Sequence, residues 1–310
     1  MPRGQELSAQ TIVRIAKLRS SPKLLEKCFL IISCSDGNPV VRAVKMFGEA
    51  LGERVDSERG KIDLERTTFD LEESLLNYQP VILACEGKLP SSQLTQFTAI
   101  QAILDSIGSS AKIIHLVDFG VKTGLHWSIM IQGLASRGHS PPQLLKITAL
   151  GSSKERLEET GRRLSSFAES MKLPFLFRSV VAEIKDVDLQ LFEAEFHESV
   201  VVYSGLHLWS QLACPNSLAS FVQFVKKLNP CVMVVNEFEA NTNTSVYIDR
   251  LYGALPFTIA MFDCLDTCLK GEATYRKIVE EVFIWDMIRS ISAAEEEERT
   301  YRHALQRSVF

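Results

Sequence analysis

Five short apolar runs, spaced far enough apart to hold a helix between them, constrain this chain more than any other feature. They are Lys-Ile-Ile-His-Leu-Val-Asp (112–118), Gln-Leu-Leu-Lys-Ile-Thr-Ala-Leu (143–150), Phe-Leu-Phe-Arg-Ser-Val-Val (175–181), Ser-Val-Val-Val-Tyr (199–203) and Cys-Val-Met-Val-Val-Asn (231–236). Short runs rich in β-branched residues, without polar alternation, fit strands covered on both faces. Helical stretches are expected near 125–137, 153–172 and 216–228. Strands joined through helices must cross over, and right-handed crossovers build a parallel, doubly wound sheet. The expected strand order is 3-2-1-4-5, with the fifth run at an edge.

The flanks read as helix. Ser21-Pro22 and Asn38-Pro39 each place a capping side chain before a proline at the first helical position. Val40, Val44, Phe47, Leu51 and Val55 then form one helical stripe, with Glu53, Arg54, Asp56, Glu58 and Arg59 as its solvated end. Leu94, Phe97, Ile100, Ile103 and Leu104 form a second stripe, and helices are expected again over 243–268 and 274–300. The chain thus divides into a helical cap, 1–108, and an α/β core with C-terminal helices, 109–310. Ser152-x-x-Glu155 has capping-box spacing, and Leu157, Leu164, Phe167, Ala168 and Met171 make the buried face that follows. A glycine inside that helix, Gly161, predicts a close approach to the sheet, since glycine otherwise costs about 1 kcal/mol there relative to alanine.

Composition narrows the function classes. With 310 residues and 46% hydrophobic content the chain can bury a core without disulfides or metal. Its 38 acids against 34 Lys and Arg weigh against a tight, sequence-independent grip on nucleic acid. It has no apolar run of the roughly 18 residues that a bilayer span needs, so no membrane is expected as a partner. Met-Pro-Arg-Gly-Gln-Glu lacks a signal-peptide core, and an intracellular protein is expected. Seven cysteines without a Cys-x-x-Cys pair read as buried thiols in a reducing compartment. Cys264 and Cys268, one helical turn apart, are spaced to share a metal but fit the same bland description.

The chemistry concentrates at the turn after the first run, Val117-Asp118-Phe119-Gly120-Val121-Lys122-Thr123-Gly124. An acid at a strand end, followed by glycines opening a helix, marks where parallel α/β sheets bind nucleotide-like cofactors. Methyltransferases that use S-adenosylmethionine carry Asp-x-Gly-x-Gly-x-Gly there. Asp118, Gly120 and Gly124 fit, but Lys122 stands at the middle glycine, and Leu150-Gly151-Ser152 supplies no second acid for a ribose. Three readings follow: a tight turn with Asp118 capping backbone amides, a non-catalytic ligand or partner contact in which His126 and Trp127 also line the groove, or methyl transfer. A lysine beside a helix N-terminus also suits an anion. His115 reads as a hydrogen-bonded core histidine, His207 and Trp209 follow the fourth run without an evident acid–base partner, and Glu237 and Glu239 past the fifth read as solvated or capping residues, or as a carboxylate pair. No catalytic residue, metal or cofactor is assigned.

Several separate segments then agree, in order, with one family. Ile114-His115-Leu116-Val117-Asp118-Phe119-Gly120 resembles the Val-His-Ile-Ile-Asp motif of the GRAS family of plant transcriptional regulators. Gly124-Leu125-His126-Trp127 and Gln132-Gly133-Leu134-Ala135 continue it. Leu157 to Leu164, including Gly161 and Arg163, followed by Leu173-Pro174-Phe175, is similar to the family's second leucine-rich region and the opening of its PFYRE region. Phe262-Asp263-Cys264-Leu265-Asp266, Ile288-Arg289, Ala294-Glu295 and Glu298-Arg299 resemble the rest. The likeness runs from about 38 to 303. His126 and Ser128 replace a Gln and a Pro common in the motif, and the first leucine-rich region is short.

The resemblance implies a helical cap on a methyltransferase-like sheet that does no methylation. It also implies a nuclear role in gene regulation through other GRAS proteins and transcription factors, including dimers with itself or with a relative. Lys122, Arg162-Arg163 and Lys226-Lys227 would make only weak DNA contacts. The chain ends before the family's C-terminal Ser-Ala-Trp region, so a truncated form is expected. Its fifth strand would lie open, lowering stability and favouring self-association.

Overall fold

A computed structural model describes residues 38–58, 78–108, 111–137, 141–182, 191–192, 197–205, 215–237, 240, 242 and 246–293. Its centre is a five-stranded sheet ordered β3-β2-β1-β4-β5. The strands are β1 (Ile113–Phe119), β2 (Leu144–Gly151), β3 (Phe175–Val181), β4 (Ser199–Gly205) and β5 (Val232–Asn236). Every pairing is parallel. The expected topology and all five runs are found, each within two residues of its expected bounds.

The helices are α1 (Pro39–Glu58), α2 (Gln79–Lys88), α3 (Pro90–Ser106), α4 (Leu125–Ala135), α5 (Lys154–Ser170), α6 (Pro215–Leu228), α7 (Tyr247–Cys268), α8 (Ala273–Ile278) and α9 (Trp285–Ala293). A π-helical turn, Val279–Ile284, joins α8 to α9. Side chains alternate across each strand, so β1 feeds two cores. Ile114 and Leu116 join Ile147, Val201, Trp127, Met130, Leu164 and Ile103 beneath α3, α4 and α5. Val117 and Phe119 join Val202, Phe192 and α6 on the opposite face. There the Phe119 ring meets Phe221 edge-on at 4.8 Å. At Gly161 a β-carbon would fall 2.4 Å from the Phe177 ring, so α5 does lie close against β3.

A third core stands apart from the sheet. Val44, Phe47 and Leu51 of α1 pack with Leu251, Leu255 and Phe262 of α7 and with Ile288 of α9. Asn38 starts α1 as expected: its Oδ1 accepts the Val40 N–H at 2.8 Å, ahead of Pro39. Arg42 then reaches across to the C-terminal helices. Its Nη2 donates to Asp266 at 2.8 Å, and its Nε and Nη2 grip Glu280 at 3.1 and 2.9 Å. Arg276 also pairs with Asp266.

Three expectations change. The cap of α5 is Ser153, which accepts the Arg156 N–H at 3.5 Å, and not Ser152. The end of α1 is docked rather than solvated, because α9 packs against it. Glu53 accepts from Arg289 at 2.9 Å, and Arg54 donates to the Ser292 carbonyl at 2.8 Å while lying over the Tyr247 ring. Cys85, Cys264 and Cys268 are half-buried and Cys231 is exposed, so none of these four is a fully buried thiol. Ser21-Pro22, Arg59, His207, Trp209, Glu239 and the stretch 294–300 lie outside the described residues.

Candidate functional site

Strand β1 delivers Asp118 to the end of the sheet, opposite Ala149 of β2 and Tyr203 of β4. The turn beyond it is wound in left-handed backbone. Gly120 has φ +102°, Lys122 +48° and Gly124 +65°. Glycine adopts this region freely, whereas Lys122 holds it against a steric cost of about 1–2 kcal/mol. Gly124 is required twice over, because a β-carbon there would also strike the Thr160 methyl at 2.7 Å.

Neighbouring elements fix the turn. The Thr123 hydroxyl donates to Glu86 of α2, 2.9–3.0 Å from both carboxylate oxygens. Arg163 of α5 donates to the Thr123 carbonyl and to the Thr160 hydroxyl, each at 3.1 Å. Burial raises the Glu86 carboxyl, against the pull of Thr123, Lys122 and Arg163. Lys122 is lowered by burial, although Glu86, Glu237 and Asp118 surround it with negative charge.

Helix α4 folds its first residues back over Asp118. The Trp127 indole N–H donates to Asp118 Oδ2 at 2.7 Å. The same indole meets the Tyr203 ring edge-on at 4.9 Å, and the His126 ring packs at 4.2 Å from it. Asp118 and Trp127 have no exposed surface. Among the described residues, Asp118 Oδ1 and His126 Nε2 have no hydrogen-bond partner. Burial pushes the Asp118 carboxyl up to about 7, with the indole and Lys122 opposing, and holds His126 down to about 3. Tyr203 rises to about 12, through burial first and the Asp118 charge second.

The site thus gathers Asp118, Gly120, Lys122, Gly124, His126 and Trp127, as the turn's sequence suggests. Glu86 and Tyr203 join them without having been anticipated. Tyr203 was recoverable from strand parity, since it stands beside Asp118 in the register. Glu86 comes from a separate helix and leaves no local trace in the sequence. The arrangement does not fit S-adenosylmethionine. Asp118 is committed to an indole inside the core, and a lysine occupies the position where a bare backbone is needed. At the end of β2, Leu157 packs on Gly151 where a ribose-binding acid would project, a β-carbon on Gly151 falling 3.2 Å from it. Among the described residues no cluster of three or more His, Cys, Asp or Glu is arranged to hold a metal.

The other motif positions lie elsewhere. His115 sits in the opposite core. Its Nδ1 donates to Glu198 at 2.7 Å, and its Nε2 accepts from the Thr148 hydroxyl at 2.8 Å. Burial and the nearby Lys146 hold it near 4, so the ring is neutral at pH 7. The carbonyl of Pro174 accepts the Leu145 N–H at 2.9 Å at the start of the β2–β3 ladder. Gly161 floors a groove of about 600 Å³ between α5 and β3, lined also by Ser165, Ser166, Phe177 and Ser179. Arg289 anchors α1 through Glu53. Glu295 lies outside the described residues.

Sheet order, strand-end acid and glycine-bearing turn define a methyltransferase-like α/β protein whose strand-end acid is bonded to an indole of its own chain. The chain belongs to the GRAS domain family, whose model matches residues 7–308. It is 35% identical over 216 residues to Scarecrow-like protein 28 of Arabidopsis thaliana, covering 69% of this chain and 32% of that protein. It is 33% identical over 220 residues to DELLA protein GAI1 of Vitis vinifera, covering 69% and 37%. Against DELLA protein SLN1 of Hordeum vulgare the match extends to 310 residues at 28% identity, covering 92% and 49%. The chain therefore spans a third to a half of the length of these relatives. The crystal structure of SCL7 from Oryza sativa shares the fold, with a TM-score of 0.81 at 24% identity, covering 97% of this chain and 83% of that one.

Proposed function

We propose that this chain acts in the nucleus as a transcriptional regulator, and that it works by binding other proteins rather than by catalysis. The observation that carries the reading is the Trp127–Asp118 bond. It commits to the chain's own indole the strand-end acid that stands where a methyltransferase binds its cofactor. Kinship with Scarecrow-like and DELLA proteins supports the regulatory role. The partners are other GRAS proteins and transcription factors, or a second copy of the chain. Apolar side chains left open on α3 are suited to a partner helix: Leu94 is 69% and Phe97 57% exposed, while Ile100 and Ile103 of the same helix serve the core. DNA contact is weak and salt-sensitive, because net charge is −4 and exposed Arg162 is already paired with Glu159 at 2.7 Å.

Two measurements test this. Calorimetry with S-adenosylmethionine is expected to give no heat of binding. Micromolar binding lost in Asp118→Ala would overturn the reading in favour of an enzyme. Sedimentation with full-length GRAS proteins is expected to give a hetero-complex weakened by Phe97→Asp, and absence of a complex with every member tried would count against it.

A further inference from the structure

The far end of α7 carries two thiols on one face. The Cys264 and Cys268 sulfurs are 3.9 Å apart, and both residues are half-buried, within reach of a small oxidant. Cys268 is the last residue of the helix, and the chain then turns through Leu269 to Gly271, which has φ +91°. Between the two cysteines lies Asp266, the carboxylate that accepts from Arg42 of α1 and pairs with Arg276. One helical turn therefore holds both a dithiol and the anchor of α1.

We propose that Cys264 and Cys268 form an oxidisable dithiol whose disulfide loosens α1 from the C-terminal helices through Asp266. Hydrogen peroxide is the oxidant. The Cys268 thiolate attacks one peroxide oxygen, the O–O bond breaks, and hydroxide leaves, giving a sulfenic acid. The Cys264 sulfur then attacks the Cys268 sulfur, the S–O bond breaks, and the Cys264 proton goes out with the departing oxygen as water. Overall two thiols lose two electrons and two protons, and one peroxide becomes two waters. Burial and the Cys268 sulfur hold the Cys264 thiol above its usual pKa, so Cys264 is the source of the proton that leaves with the oxygen as its sulfur attacks. Cys85, half-buried on α2, is the neighbouring thiol that serves as the control, because the 3.9 Å sulfur contact joins Cys264 to Cys268.

The geometry makes the product strained. β-carbons four residues apart on a helix are about 5–6 Å apart, whereas a disulfide requires about 3.5–4.5 Å. The last turn of α7 must give way. Its closing bond, from the Leu269 N–H to the Leu265 carbonyl at 2.9 Å, lies at the helix terminus, where unwinding disrupts least. Strained disulfides are readily reduced, as a reversible switch in a reducing compartment requires.

The experiment uses the full chain, treated with hydrogen peroxide, blocked with iodoacetamide and digested with trypsin. Both cysteines fall in one peptide, 251–270, between Arg250 and Lys270. That peptide is expected to lose two hydrogens in mass, resist alkylation, and recover both thiols with dithiothreitol. Cys264→Ser and Cys268→Ser should each abolish the product, and Cys85→Ser should leave it intact. Amide exchange across α1 should quicken about tenfold on oxidation, as expected for losing one charge-assisted hydrogen bond. Added oxygen atoms or separate adducts on the two sulfurs, in place of the two-hydrogen loss, would overturn the dithiol. A disulfide that leaves α1 exchange unchanged would overturn its coupling to Asp266.

Discussion

Replacing Asp118 with Asn should make this protein more stable at neutral pH and leave it nearly unchanged in acid. Asp118 is fully buried, with one oxygen on the Trp127 indole and the other without a partner among the described residues. Its carboxyl is raised from 3.8 to about 7 by burial. Between those values the native state keeps a proton that the unfolded chain has released. Asp118's contribution to stability is therefore fully present below 3.8, falls as pH rises through that window, and levels off above about 7. The gap corresponds to roughly 4 kcal/mol, or about 1.4 kcal/mol per pH unit. His126 and His115 work the other way. They are held near 3 and 4 against an ordinary 6.5, so stability is lost as pH falls below 6.5. Both histidines titrate alike in parent and variant and cancel in the difference. Asparagine keeps an oxygen for the indole and carries no charge. The assay is urea unfolding at pH 4, 5, 6, 7 and 8, read by tryptophan fluorescence. The stability difference between Asp118→Asn and parent should grow from near zero at pH 4 to a few kcal/mol at pH 8. A constant difference across the range would refute the buried-carboxylate reasoning.

Arg42→Met should cost about 1.5–3 kcal/mol, because Glu280, whose side chain is only 5% exposed, loses both of its Arg42 hydrogen bonds and keeps the more distant Arg276 at 3.8 Å; Arg42→Met with Glu280→Gln should recover part of that in chemical denaturation. Gly161→Leu should destabilise by about 1–3 kcal/mol despite its better helix propensity, since even a β-carbon would meet Phe177 at 2.4 Å; an unchanged melting temperature would contradict the close packing of α5 on β3. Among the described residues β5 is a sheet edge, and Met233 and Val235 on it are 36% and 38% exposed. Light scattering at rising concentration should detect self-association of the parent, relieved by Met233→Lys with Val235→Lys; a monodisperse parent would remove the edge as a cause.

What the sequence disclosed was local. Runs of β-branched residues located β1 to β5, and Asn38-Pro39 located the start of α1, because both depend on neighbours a few positions apart. Gly161 was legible because a glycine inside a strong helix needs a packing reason, which Phe177 supplies. The candidate turn was half legible. Asp118, Lys122 and Gly124 advertised it, but the use of Trp127 as Asp118's partner depends on how α4 folds back, and Glu86 arrives from another helix. The docked end of α1 was misread for the same reason. A charged helix end looks solvated until Arg289 and Ser292, more than 230 positions away, are placed beside it. Capping at Ser153 rather than Ser152 is a choice between adjacent serines that spacing alone does not resolve.

The third core also sets an order of events during synthesis. Arg42 and Glu280 are 238 positions apart, so α1 leaves the ribosome long before the helices that cover it. At about 5–20 residues per second the wait is roughly 10–50 s. Throughout that interval Val44, Phe47 and Leu51 lack the surface that α7 and α9 later supply, while the sheet between can already assemble. The nascent chain therefore passes through a stage with a finished centre and an uncovered apolar helix. Such a stage is a natural client for a chaperone, and the point at which a slowed or interrupted ribosome would do this protein the most harm.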